Sequence, residues 1–105
     1  MQKKKRIVNP ELLAKVRSLG CCVCIDEKKP LIYPVESHHI QTRARMGDDV
    51  ETNLLPVCTR CHRLLHSMGL TTFAKKHPVV TALLTHMDWE FDEYSGRWFP
   101  PHSVS

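Results

Sequence analysis

The 105-residue sequence predicts one small α+β domain, residues 1–105. Three observations predict it. Apolar residues recur at helical spacing near both ends of the chain. Between them lie two short apolar runs joined by a polar stretch, the pattern of a wide-looped β-hairpin. Two cysteine pairs, Cys21/Cys24 and Cys58/Cys61, frame that hairpin and offer a metal staple to a fold whose own core must be modest.

Composition narrows the class. An apolar content of 42% suits a globular chain and excludes a disordered one. No apolar run is long enough to span a membrane. The basic stretch Met1–Arg6 lacks the apolar segment of a signal peptide, so a cytoplasmic protein is expected. Disulfides do not persist there, and an odd count of five cysteines suits thiolate ligands better. The formal net charge of +4 is a mild bias toward polyanions. Residues 1–8 read as a solvated basic tail.

Each element follows in order. Asn9-Pro10-Glu11 starts a helix with an N-cap, a first-position proline and an acid in the first turn. Leu12, Leu13, Val16 and Leu19 give its apolar stripe, and Gly20 stops it. Asp26 to Pro30 is a polar turn. Leu31 to Ser37 is β-prone, limited by Pro34 to a broken or edge strand, and runs into His38-His39-Ile40. Gln41 to Thr52 is a polar loop, and Asn53 to Val57 is the return strand. Thr59 can cap a helix over Arg60 to Met68, ended by Gly69. A short helix from Thr71 or Thr72 to Lys76 and another from Pro78 to Met87 follow. Trp89 to Phe99 reads as a hairpin turning at Ser95-Gly96. Its aromatics Trp89, Phe91, Tyr94, Trp98 and Phe99 are expected to close a core rather than stack on bases.

Cys21-x-x-Cys24 and Cys58-x-x-Cys61 have the spacing that lets paired thiolates converge on zinc. Four thiolates close a tetrahedron and leave no position for water, so this zinc site should be structural. Cys22 could stand in for Cys21, but one intervening residue makes a poor knuckle, and Cys22 reads as a small buried hydrophobe.

Between and beyond the cysteines lie His38-His39-Ile40, then Asn53-Leu54 before a short apolar run, then Cys58, Cys61, His62 and His66. In order and gaps this resembles the HNH endonucleases of ββα-metal fold, in their zinc-knuckle form with four cysteines. The resemblance covers about Val35 to Met68, framed by the cysteine knuckle at Cys21; residues 21–68 would hold the zinc knuckles and ββα-metal core, with 71–105 as a C-terminal extension. It implies a DNA endonuclease, and for Asn53 the task of holding the loop and His39 in register. It also implies products with 5′-phosphate and 3′-hydroxyl ends, and the phages and mobile elements where such proteins occur.

The residues read the same way on their own. His62 and His66 are four apart on a helix, with Cβ atoms about 5–6 Å apart. Cys61 lies about 100° round from His62, which frees it for the zinc. His38 can supply a third ligand and leave an open position on a catalytic divalent ion, Mg2+, Mn2+, Ni2+ or Zn2+. Neighbouring strand residues point to opposite faces, so His39 falls to the general base. Arg43, Arg45, Arg60 and Arg63 are candidates for the DNA backbone. His77, His86 and His102 fall outside the pattern. The alternative function is a zinc-stabilised nucleic-acid-binding module that does not cut. A zinc finger built on Cys58, Cys61, His62 and His66 fails, because His62 directly follows Cys61.

Overall fold

A computed structural model describes residues 5–101. Residues 1–4 and 102–105, including His102, Lys3 and Lys4, lie outside the described residues. The first helix, α1, is Pro10–Ser18, and the Asn9 side chain accepts from the Leu12 amide as the sequence predicts. Gly20 follows at φ +84, a conformation costly for any residue with a Cβ. The Cys21 knuckle does not stay extended. Cys22–Asp26 winds into a short helix, α2, which the knuckle spacing does not predict.

The central hairpin pairs β1 (Val35–His39) with β2 (Leu54–Cys58), antiparallel, with Val35 opposite Cys58 and His39 opposite Leu54. The expected first strand is shorter than its β-prone run. Leu31 to Pro34 stays irregular with Leu31 and Tyr33 exposed, because Pro34 has no N–H to give a ladder. The polar loop carries two 3₁₀ turns, Arg43–Arg45 and Glu51–Asn53. Gly47 is sterically required in this loop. A Cβ there would lie 1.7 Å from the Gln41 carbonyl oxygen.

Thr59–Met68 forms α3. Its cap is not Thr59 but Cys58, whose sulfur accepts from the Cys61 amide at 3.5 Å, while the Thr59 hydroxyl bonds the Pro34 carbonyl. The C-terminal extension forms α4 (Leu70–Lys76), α5 (Pro78–His86) and a hairpin of β3 (Glu90–Asp92) with β4 (Arg97–Phe99). This extension completes the core. Phe73, Ala74, Val80, Leu84 and Trp89 are buried together with Val23, Leu55, Val57 and Leu65. Trp89 also donates its indole N–H to the Thr52 carbonyl at 2.5 Å, tying the extension to the loop. Packing therefore claims Trp89 and half-buries Phe91 and Trp98, but Tyr94 and Phe99 are exposed, contrary to the expectation for the whole aromatic set. Among the described residues no helix is long and apolar enough to cross a membrane.

Arg6 departs from the solvated tail. Its guanidinium bonds Asp49 Oδ1 at 3.0 Å and the Gly47 carbonyl at 3.2 Å. The Ile7 amide donates to Asp48 Oδ1 at 2.7 Å, and the Asp49 amide donates back to the Ile7 carbonyl. Arg6 and Ile7 are thus laid along the hairpin loop.

Candidate metal centres

Cys21, Cys24, Cys58 and Cys61 are all buried, and their sulfurs lie within 4.8 Å of one another. The Cys24 and Cys58 sulfurs are 3.9 Å apart. Zinc–sulfur bonds of ~2.3 Å in a tetrahedron require sulfurs about 3.8 Å apart, so the donor set fits zinc. The elements that deliver it are the start of α2 on one side and the β2–α3 junction on the other. Burial, the neighbouring thiols and their like charge push the thiols of Cys24 and Cys61 up. Four converging thiolates therefore need a cation to hold them together. Cys22 stays outside the group. It is half-buried rather than fully buried, and burial pushes its thiol up to about 12, which keeps it neutral and inert.

The second centre is built from β1 and α3. Strand periodicity puts Glu36 and His38 on one face of β1, the face that meets α3. Helical periodicity brings His62 and His66 onto the facing side of α3. His38 Nδ1 lies 3.1 Å from His62 Nε2, and His66 Nε2 lies 3.0 Å from the same atom. All three ring nitrogens lie within 4.8 Å of one another. Metal–nitrogen bonds of ~2.0–2.1 Å place neighbouring nitrogens about 3.0–3.4 Å apart, so these rings fit one ion. His38 is the most enclosed of the three and His66 is exposed. Burial, helped by the neighbouring imidazoles, pushes His38 down to about 4, so at neutral pH its ring is unprotonated and free to offer a lone pair.

Glu36 completes this centre, and no sequence motif singles it out. Its Oε2 accepts from His62 Nδ1 at 2.6 Å. A carboxylate only accepts, so Nδ1 carries the hydrogen and the neutral ring turns the Nε2 lone pair toward His38 and His66. The available signal was position: Glu36 is two residues before His38 on the same strand.

His39 is not part of this group, and strand alternation sets it on the other side of β1 from His38. Its Nε2 lies 2.6 Å from Asp49 Oδ1. Asp49 is buried, and nothing in its spacing announces the partnership. Asn53, also buried, spans the loop. The Gln41 amide donates to its Oδ1 at 2.7 Å, and its Nδ2 donates to the Gln41 and Asp48 carbonyls at 3.1 and 3.0 Å.

Arg43, Arg45, Arg60 and Arg63 are all exposed, but Arg60 and Arg63 do not share the histidine face of α3. Helical geometry sets Arg63 about 100° and Arg60 about 160° round α3 from His62. Arg60 and Arg63 instead line a shallow groove with Ile32, Leu64 and Ser67. His77 lies far from either centre in role: its Nδ1 bonds Glu27 at the entry to α5.

The family model of the HNH endonucleases matches residues 21–68, the stretch that contains both centres. No curated protein and no solved structure gives a significant match.

Proposed function

We propose, from the match of residues 21–68 to the HNH endonuclease family model, that this chain is a metal-dependent nuclease that hydrolyses DNA phosphodiester bonds. The observation that carries the reading is the convergence of His38, His62 and His66, with the exposed His66 leaving the cluster open to a substrate. A centre of three protein ligands is the pattern of hydrolytic metals, whereas the four-cysteine centre is closed.

His38, His62 and His66 would hold one divalent ion. Bound there, such an ion supplies Lewis-acid stabilisation of charge on the scissile phosphate and its leaving oxygen. His39 serves as general base, taking the proton of the attacking water on its ring nitrogen. Glu36 keeps His62 in the ligating tautomer. Asn53 holds Gln41 and Asp48 together across the loop and so fixes the end of β1 from which His39 projects. Arg43 and Arg45 on that loop supply positive charge for the phosphate backbone.

The test is plasmid nicking across Mg2+, Mn2+, Ni2+ and Zn2+, with the zinc-loaded protein and His39→Ala and His62→Ala variants side by side. Both variants should lose nicking by roughly 10²-fold or more while still binding DNA. Equal nicking by all three proteins rejects the catalytic assignment. Binding without nicking in every protein and every metal leaves the zinc-stabilised binding module.

A further inference from the structure

The loop residue Asp49 meets three donors from two different parts of the chain. Its Oδ1 takes His39 Nε2 at 2.6 Å and Arg6 Nη1 at 3.0 Å, and its Oδ2 takes the Asn9 amide at 2.8 Å. Only 1% of Asp49 is exposed, so this is an enclosed ionic network rather than a surface pair. We propose that Asp49 is the positioning residue of His39, fixing both the plane of its ring and which nitrogen carries the hydrogen. This inference rests on the reading of His39 as general base.

The chemistry follows from the donor count. Burial opposes ionisation of Asp49, but the Asn9 amide, His39 and Arg6 outweigh it and hold its carboxyl down at about 2. At neutral pH Asp49 therefore only accepts, and His39 must present Nε2–H to it. In the neutral ring the basic lone pair then sits on Nδ1. No buried side-chain nitrogen or oxygen among the described residues lacks a partner, and no described residue bonds His39 Nδ1, so that nitrogen reaches solvent. The task assigned to His39 needs this state: one nitrogen anchored, the other bare and accessible.

The N-terminal segment supports the arrangement. Asn9 caps α1 with its side chain while its own amide holds Asp49, and Arg6 also grips the Gly47 carbonyl. An asparagine at position 49 could not satisfy all three neighbours, since each is a donor. Its amide nitrogen would face either the Asn9 N–H or the Arg6 and His39 pair. Facing His39, it would reverse the tautomer and block the base.

Two measurements test this on the zinc-loaded full chain. The first is the two-bond ¹H–¹⁵N spectrum of the His39 ring in the unmutated protein, which needs no variant to fold. The Nε2–H tautomer is expected; Nδ1–H overturns the proposal. The second is nicking by Asp49→Asn and Asp49→Glu. We expect Asp49→Asn to lower kcat by roughly 10²-fold with KM little changed, and Asp49→Glu to recover part of the loss. An unchanged kcat in Asp49→Asn, with His39→Ala inactive, defeats the positioning role alone. An active His39→Ala protein defeats the general-base reading beneath it.

Discussion

Asn53→Ala should destabilise the zinc-loaded protein by about 3 kcal/mol. The side chain is buried and makes three hydrogen bonds, one from the Gln41 amide and two to the Gln41 and Asp48 carbonyls. Alanine removes all three and leaves the loop groups without partners. A hydrogen bond contributes a net ~0.5–1.5 kcal/mol, and a buried group left unsatisfied costs ~1–3 kcal/mol. Three bonds near the middle of the lower range give the 3 kcal/mol, a factor on the order of 10² in the unfolding equilibrium. The backbone bond from the Ile40 amide to the Asn53 carbonyl survives, which keeps the cost from rising further. Asn53→Asp should cost at least as much, because a carboxylate replaces the donor facing two carbonyl oxygens. Urea unfolding followed by far-UV circular dichroism measures the loss as a lower midpoint at constant slope. A loss under about 1 kcal/mol, with nicking abolished, would refute the scaffold role and move Asn53 into the chemistry itself.

Two further outcomes are expected. Glu36→Ala should weaken divalent binding at the histidine centre by about 10–100-fold, because His62 is freed to take either tautomer; isothermal titration of Mn2+ or Ni2+ into zinc-loaded protein reads it directly. Cys24→Ala should unfold the chain rather than merely inactivate it. It strips one of four converging ligands from a buried site, so helical circular dichroism and stoichiometric zinc should be lost together.

Much of this is legible in the sequence because the signals are local. Asn9-Pro10, Pro78 and the knuckle spacings name their elements and ligands directly, and His62/His66 define a helix face by arithmetic. Strand alternation alone assigns His38 and His39 to opposite faces of β1. What stays hidden depends on distant pairings. Asp49 acts on His39 only because the loop folds back, and it is held by Arg6 and Asn9 from the far end of the chain. Nothing in the residues around Arg6 distinguishes an anchor from a solvated tail. Gly47 is compelled by a contact with Gln41 that no turn motif announces. The α2 helix is hidden because its residues carry knuckle spacing, not amphipathic period.

The two centres are mechanically joined through α3. Cys58 ends β2 and caps this helix, Cys61 lies in its first turn, and His62 follows at once. Closing four thiolates on zinc therefore fixes the pitch and rotation of the helix that presents two of the three imidazoles. The third, His38, is fixed by pairing with Leu55 on the same strand that ends in Cys58. On the proposed reading, a zinc ion among the thiolates would set the geometry of the histidine group, and the dependence would run one way. Loss of an ion from the three histidines removes no element of the fold, since Glu36 and the β1–β2 ladder still hold His62 and His38. Loss of zinc from the four cysteines would release the helix itself. A chelator that stops nicking can therefore act at either centre. Recovery on adding Mg2+ or Mn2+ alone assigns the loss to the histidines, because neither hard cation replaces zinc among thiolates.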